Sequence, residues 1–348
     1  MFVAEGTGSA PIGVRPPPFA MIVLEELCPD IASDLECVAA EVAAIAAGDQ
    51  IPVAEAARHL AATPGKRLRP GLLLLAARAC GYAGPACILP AAVIEVLHGV
   101  SLVHDDVIDE ADTRRGMAST RAVWGNKMAV LLGDHLLAGA FKRLTESGER
   151  LVMMEIADTA REMCRGQIRE TMLAGLDLTE AQYLDIVSEK TASLFAASCR
   201  LGAAAAEAGE RERQTLDSFG RRFGIAYQIA DDVSDLTGVP EAMGKPVARD
   251  LAQGQITLPI IHALRDGSPA SRDELRAILN GQVGAGVDLA RIREVIAEAG
   301  GFEYATGRIR RFADEAADQL VELAESPARE CLLALTRDAL AAPITTRN

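Results

Sequence analysis

Apolar residues recur at spacings of three and four positions along most of the chain, from about residue 21 onward. This period matches one face of an α-helix, and the segments lack the two-residue alternation of a half-buried strand. Glycine and proline separate one periodic segment from the next. The pattern predicts helices near 21–48, 52–62, 71–81, 86–108, 118–145, 150–174, 179–209, 211–235 and 255–266, then near 271–280, 287–299, 302–323 and 326–341.

These helices predict one all-α domain over residues 21–348, packed as a bundle around a central cavity. The composition does not shift along the chain in a way that would mark a domain boundary. Residues 1–20 are rich in glycine and proline and lack the charged start and continuous apolar core of a signal peptide. We therefore expect them to form a flexible tail.

Composition narrows the range of functions. A net charge of −14 over 348 residues argues against a general nucleic-acid binder, because such proteins hold phosphates with clustered lysine and arginine. The seven cysteines include no CxxC pair, which is typical of reduced thiols in a cytosolic protein. No uninterrupted apolar run reaches the ~18 residues of a membrane span. We expect a cytoplasmic protein without a transmembrane segment.

One acidic motif occurs twice. LVHDDVID at 102–109 and QIADDVSD at 228–235 both contain D-D-x-x-D within a predicted helix. Residues i and i+4 share a helix face, so Asp105 stacks with Asp109, and such like charges require a compensating partner. Mg²⁺ is a suitable partner, because carboxylates, water and substrate phosphates usually bind it together. A single copy would more often be a solvated acidic face, but two copies after apolar residues predict a metal and diphosphate site.

Fixed positive charge for a diphosphate is available in three places. The candidates are Lys66, Arg67 and Arg69 in GKRLRP, Arg114 and Arg115 in TRRG, and His98, which precedes Asp105 by two helical turns. Each has an ordinary explanation when taken alone, the basic cluster as a solvated loop and the histidine as a core residue. Beside two acidic motifs, we interpret them as phosphate contacts, and the first cluster also lies at the start of a helix, where anions bind.

Taken in order, these motifs resemble the trans-isoprenyl diphosphate synthases, the head-to-tail prenyltransferases. The resemblance runs from about residue 63 to 265, through GKRLRP, IEVLHGVSLVHDDVIDEADTRRG, WGNKMAVLLGDHLL, CRGQIRE, EKTASLF, FGIAYQIADDVSD and GKPVARDLAQGQITLP. It implies an all-α fold of the type I isoprenoid synthase kind. It also implies Mg²⁺-dependent condensation of an allylic diphosphate with isopentenyl diphosphate, with release of pyrophosphate.

The resemblance further implies roles for individual residues. Three Mg²⁺ ions and the allylic diphosphate would be bound by Asp105, Asp106, Asp109, Asp231, Asp232 and Asp235. The same diphosphate would be held by Arg114, Lys190 and Lys245. The isopentenyl diphosphate would be held by Lys66, Arg69, His98 and Arg115. Thr191 and Gln228 would lie near the developing allylic cation. A homodimer is implied too, and the apolar segment 118–141 could provide its interface.

In the resembled family, product length depends on the side chains four and five residues before the first acidic motif. These are Ser101 and Val100 here, and neither is aromatic. The motif also lacks the two-residue insertion of bacterial short-chain farnesyl enzymes. We predict a product longer than twenty carbons, with geranylgeranyl or farnesyl diphosphate as the alternative.

Two other classes share some of these features. A class I terpene cyclase is also helical with an aspartate-rich motif, but it does not require a second D-D-x-x-D or a second diphosphate site. A non-catalytic subunit of a heteromeric synthase usually lacks some of the motif carboxylates, whereas all six are present here. One departure from the family pattern is Gln255, where a lysine is expected, and it removes one possible diphosphate contact.

Overall fold

The computed structural model describes residues 24–47, 55, 66–114, 116–238, 251, 254–281 and 289–340, and helices make up most of them. The α-helices are α1 (Leu24–Leu27), α2 (Ala32–Ala46), α3 (Leu68–Ala79), α4 (Ile88–Ile108), α5 (Thr120–Trp124), α6 (Asn126–Ser147), α7 (Arg150–Met172), α8 (Glu180–Val187), α9 (Ser193–Ala205), α10 (Glu210–Thr237), α11 (Leu258–Asp266), α12 (Pro269–Gly281), α13 (Leu289–Glu298), α14 (Gly301–Leu320) and α15 (Pro327–Leu340). Short 3₁₀ turns cover Pro29–Ile31 and Pro85–Cys87, and a π-turn covers Ser188–Ala192 between α8 and α9. The prediction of an all-α fold is confirmed.

The hydrophobic core is continuous from Leu24 in α1 to Leu335 in α15. Helix α10 packs against α9 and α14, and α9 packs in turn against α3. Three phenylalanines fill the contact between α9 and α10, with ring centroids of Phe195 and Phe223 5.6 Å apart and those of Phe219 and Phe223 5.9 Å apart. All three rings are fully buried, so the two helices form a rigid support for the residues at their ends.

Helix α4 is apolar enough to be compared with a membrane span. By length and composition alone, residues 85–108 could cross a membrane, and no other helix in the described ranges passes that test. However, 56% of the apolar 18-residue window within this segment is buried inside the protein. Helix α4 packs against α2, α3 and α6, and a helix buried in this way is apolar around most of its circumference. Its composition is that of a core helix.

Two predicted helices are interrupted in the structure. The segment 118–145 divides into α5 and α6 at Gly125, whose φ of 83° lies in the region that favours glycine. The segment 179–209 contains the π-turn at Ser188–Ala192. The spacing of apolar residues predicts neither interruption, because each changes the backbone conformation over no more than about one helical turn. The predicted tail at 1–20 and the predicted helix at 52–62, apart from Glu55, lie outside the described residues.

A small hairpin follows α4 where no strand was predicted. Strands β1 (Thr113–Arg114) and β2 (Met117–Ala118) pair antiparallel, with Arg114 opposite Met117. Glu110 and Gly116 have positive φ angles of 51° and 78°, which turn the chain at the end of α4 and at the hairpin tip. Two-residue strands are too short for a period-two pattern, so sequence periodicity cannot predict them.

Candidate active site

The first acidic motif lies at the C-terminal end of α4. Asp109 closes the helix, and its N–H donates to the carbonyl of Asp105 at 2.8 Å. Asp106 is buried, and Arg114 donates to its Oδ1 from Nε at 2.8 Å and from Nη2 at 2.7 Å. Burial raises the pKa of Asp105 above its ordinary value, while the Lys190 ammonium opposes the rise and the Asp109 carboxylate adds to it. The motif therefore concentrates negative charge in a poorly solvated place, which favours a bound cation.

The hairpin returns Arg114 to the end of α4. Ser119, at the end of the hairpin, donates from its hydroxyl to the carbonyl of Ala111 at 2.5 Å and from its N–H to the carbonyl of Asp112 at 2.8 Å. The exposed Asp112 side chain accepts from Nη1 of Arg121 at 3.0 Å. The two bonds of Ser119, to the backbone carbonyls of Ala111 and Asp112, anchor both sides of the loop, so Arg114 is held over Asp106 without the exposed Asp112 side chain. Arg115, the predicted isopentenyl diphosphate contact, lies outside the described residues.

The second acidic motif lies near the C-terminal end of α10, where Asp231 is exposed and Asp232 and Asp235 are buried. The carboxylate of Asp232 accepts from the Tyr183 hydroxyl at 2.5 Å and from Nε2 of Gln228 at 2.7 Å. The Thr191 hydroxyl donates to Oε1 of Gln228 at 2.9 Å. A chain of hydrogen bonds therefore runs from the π-turn to the second motif and fixes the orientation of its central carboxylate.

The end of α10 is also held by α13. Arg293 donates to the carbonyl of Leu236 and, at 2.8 Å from Nη2, to the carbonyl of Gly238. These carbonyls belong to the last turn of the helix, where an α-helix leaves them without internal partners. Burial lowers the pKa of Arg293 while the Asp235 carboxylate opposes the change, which places this arginine beside the second motif.

Lys190 lies between the two motifs, on the π-turn. Its Nζ is 2.5 Å from Oε2 of Glu170, which also accepts from Nε2 of Gln167 at 3.0 Å. Burial by itself lowers the pKa of Lys190, but the carboxylates of Glu170 and Asp105 outweigh it, so the pKa lies above its ordinary value. The ammonium is therefore charged, and it faces the first motif while the adjacent Thr191 is bonded toward the second.

The predicted basic site comes together from three elements. Nη1 of Arg69 lies 3.1 Å from Nε2 of His98 on α4, and its guanidinium lies 4.3 Å from the ring centroid of Phe195 on α9. Nζ of Lys66 lies 5.9 Å from the ring centroid of Tyr227 on α10. The two rings are 5.3 Å apart, so one aromatic surface supports both cations. Lys66, Arg69 and His98 therefore lie around one aromatic surface.

The carboxylates suit a hard divalent cation. Within the described residues, no three Asp, Glu, His or Cys side chains converge closely enough to hold an ion by themselves. Mg²⁺ does not require such a cage, because it is usually held by one or two carboxylates with water and substrate phosphates. The two motifs, each partly buried and each connected to the same π-turn, supply oxygen ligands of this kind. Lys245 lies outside the described residues, and Gln255 is half-buried ahead of α11.

Sequence reasoning did not assign roles to two residues of this site. Glu170 lies in CRGQIRE, a stretch that contributes to the resemblance, but its ion pair with Lys190 spans 20 residues. Tyr183 lies 49 residues before Asp232, and a tyrosine on an apolar helix face usually indicates core packing. The spacing of a single sequence does not show such pairs, because they depend on how helices cross.

The chain is similar to known proteins over most of its length. The family model described as polyprenyl synthetase matches residues 51–297. Octaprenyl diphosphate synthase of Escherichia coli (strain K12) is 35% identical over 277 residues, which cover 79% of this chain and 85% of that protein. Heptaprenyl diphosphate synthase component 2 of Geobacillus stearothermophilus is 40% identical over 267 residues, covering 76% of this chain and 81% of that protein.

A solved structure is similar over nearly its whole length. It is a polyprenyl synthase from Caulobacter crescentus CB15, complexed with calcium and isoprenyl diphosphate, and it is 31% identical with a TM-score of 0.87. The match covers 91% of this chain and 97% of that chain. The similarity therefore extends over most of the helical bundle, and the residues that the family model matches include both acidic motifs.

Proposed function

The chain belongs to the polyprenyl synthetase family of prenyltransferases, and from this premise we propose that it condenses an allylic diphosphate with isopentenyl diphosphate. Pyrophosphate is released, and the product is an all-trans polyprenyl diphosphate longer than twenty carbons. One observation carries the proposal. On one π-turn, Lys190 interacts with the first acidic motif and Thr191 connects through Gln228 to the second. A separate basic cluster lies on the aromatic surface of Phe195 and Tyr227. Two diphosphates therefore have distinct places to bind.

The allylic diphosphate is assigned to the acidic side. We propose that three Mg²⁺ ions bind with it among Asp105, Asp106, Asp109, Asp231, Asp232 and Asp235. When bound, these ions would stabilise the charge that the leaving pyrophosphate acquires. Lys190 and Arg114 supply fixed positive charge at the same place, since each already pairs with a carboxylate of the site at 2.5–2.8 Å. Lys245 is proposed to join them.

The basic cluster is assigned to isopentenyl diphosphate. Lys66, Arg69 and His98 are proposed to bind its phosphates, together with Arg115. In the reaction, the allylic C–O bond breaks, and the resulting cation forms a carbon–carbon bond with the double bond of isopentenyl diphosphate. The oxygen atoms of Thr191 and Gln228, which are hydrogen-bonded to each other, are proposed to stabilise the cation. A proton is then lost to pyrophosphate, so no covalent nucleophile is required.

Incubation with Mg²⁺, farnesyl diphosphate and labelled isopentenyl diphosphate should give products longer than twenty carbons, measured by mass spectrometry. A chelator in place of Mg²⁺ is the control and should abolish them. Failure to condense isopentenyl diphosphate with any allylic primer would contradict the proposal. Cyclised hydrocarbons formed from the primer alone would instead identify a terpene cyclase.

We also propose a cytoplasmic homodimer. The seven cysteines are free thiols, in keeping with a reducing compartment. The predicted interface segment carries exposed apolar side chains, with Val123 48%, Val130 40% and Leu131 62% exposed. Such a patch on a folded surface commonly marks an association site. The similarity to a component of heptaprenyl diphosphate synthase keeps a different partner subunit as the alternative.

Leu131→Glu should convert the homodimer to monomer, because a carboxylate would be buried in an apolar interface. Light scattering coupled to size-exclusion chromatography measures this mass directly. Val321→Glu is the matched control, since Val321 is similarly exposed, at 66%, after α14. A wild-type monomer, or equal behaviour of the two variants, would contradict the proposed interface.

A further inference from the structure

The π-turn Ser188–Ala192 directs neighbouring side chains to different partners. Lys190 pairs with Glu170 and faces Asp105, whereas Thr191 donates to Gln228 and so connects to the second motif. A π-turn widens one turn of a helix, and it is stable only where its surroundings hold it. The contacts around this segment therefore decide whether both side chains can reach their partners at once.

Two glycines bring the neighbouring helices against the backbone of the π-turn. A Cβ atom at Gly166 on α7 would lie 2.5 Å from the backbone nitrogen of Lys190. A Cβ atom at Gly224 on α10 would lie 2.7 Å from Cα of Ala192. Since real side chains cannot approach so closely, α7 and α10 enclose the turn only because both positions are glycine.

Arg221 joins the same two helices at the first residue of the turn. Its Nη1 donates to Oε1 of Glu162 on α7 at 2.9 Å, to the Ser188 hydroxyl at 3.1 Å and to the Ser188 carbonyl at 3.2 Å. The arginine and glutamate side chains are 28% and 23% exposed, so this ion pair is less screened than one at the surface. A carbonyl in a distorted turn thereby gains a charged donor.

The second residue of the turn is held from α7 as well. Glu189 accepts from Nε of Arg165 at 2.8 Å and lies 3.1 Å from Nε of Arg169. Arg165 and Arg169 are each more exposed than Arg221, and both bind a side chain rather than the backbone. Of these three arginines, Arg221 is the one that donates a hydrogen bond to the backbone of the turn, at the carbonyl of Ser188.

We propose that Arg221, together with Glu162, is a positioning residue for the prenyl transfer reaction. It holds the π-turn in the geometry that presents Lys190 to the first acidic motif and Thr191 to the second. The inference rests on the proposed function, because it assigns Lys190 and Thr191 to the allylic diphosphate site. The hydrogen bonds of Arg221 go to Glu162 and Ser188 rather than to the residues assigned to metal or diphosphate binding. It therefore acts through the backbone of Ser188.

The test compares Arg221→Met with Arg222→Met. Arg222 is the adjacent residue on α10, and it faces Glu315 at 3.6 Å, away from the turn. We expect Arg221→Met to lower kcat by ~10-fold to 100-fold and to raise KM for the allylic diphosphate, the scale of losses when a supporting group is removed. KM for isopentenyl diphosphate should change less than ~2-fold, since the basic cluster lies on other elements. Arg222→Met should leave all three values near wild type.

Partial rescue separates positioning from stability. Arg221→Lys keeps a charged donor for Glu162 but lacks the guanidinium fork, so its kcat should lie between wild type and Arg221→Met. Equal effects of Arg221→Met on both KM values, or a wild-type kcat, would overturn the inference.

If the wild-type protein itself fails to condense substrates, the proposed function fails first. Calorimetric binding of magnesium pyrophosphate then decides, because weaker binding by Arg221→Met than by Arg222→Met supports the positioning role and equal binding refutes it.

Discussion

Asp106→Ala and Asp232→Ala should each lower kcat by ~1000-fold while the protein remains folded, because each removes a carboxylate assigned to metal and diphosphate binding. Asp106 anchors the first motif and is neutralised by Arg114. Asp232 anchors the second motif and accepts hydrogen bonds from Tyr183 and Gln228. Steady-state kinetics at saturating Mg²⁺ measure the loss, and circular dichroism checks the fold.

Matched variants show whether the effect belongs to the acidic motifs. Asp112→Ala removes a carboxylate six residues after Asp106, but its side chain is 80% exposed, and kcat should stay within ~2-fold of wild type. Tyr183→Phe keeps the Asp232 carboxylate and removes one of its hydrogen bonds, so its loss should be intermediate. Wild-type rates in Asp106→Ala or Asp232→Ala would refute the metal assignment. A loss in Asp112→Ala equal to theirs would show a general electrostatic effect instead.

The ion pairs of the site have a consequence for substrate binding. Arg114 pairs with Asp106, and Lys190 pairs with Glu170. In the proposed complex, Arg114 and Lys190 would pair with phosphate oxygens, and Asp106 would be one of the residues that hold a metal ion. Arg114, Lys190 and Asp106 would then each have an oppositely charged partner before and after binding, which limits the cost of desolvation. This exchange of partners accounts for the position of Arg114 only eight residues after Asp106 in the sequence.

The sequence predicted the fold class and most helix positions, because each helix buries one apolar face in a common core. It also assigned Lys66, Arg69 and His98 to one site, and in the structure Arg69 contacts His98 across 29 residues of sequence. That grouping depended on the resemblance to a family, since spacing alone does not show which helices touch.

The interruptions and supporting contacts could not be predicted in the same way. Gly125 changes the direction of the chain through a single φ angle. The π-turn distorts the helix locally, although the helical spacing of apolar residues continues on both sides of it. The contacts of Arg221 with Ser188 and Glu162 span 33 and 59 residues. Each depends on side-chain direction after packing, and a binary pattern of apolar and polar positions carries no information about that direction.

Ser101→Phe should shorten the product and lower the yield of chains longer than twenty carbons by at least ~10-fold, the scale on which a bulky group excludes part of a substrate. Ser101 lies one helical turn before Asp105 and donates to the carbonyl of His98 at 2.8 Å. Since Ser101 is only half-buried, its replacement spares the core, whereas Val100 is buried and a larger residue there would also strain packing.

Ser101→Ala separates side-chain size from the lost hydrogen bond. Alanine keeps the position small, so its products should match those of the wild type, and only phenylalanine should shorten them. Mass spectrometry of the diphosphates after long incubation with farnesyl diphosphate measures both distributions. Unchanged lengths in Ser101→Phe would place the determinant of chain length on another helix. Shortening in both variants would assign it to the hydroxyl, because the volume at this position falls in one variant and rises in the other.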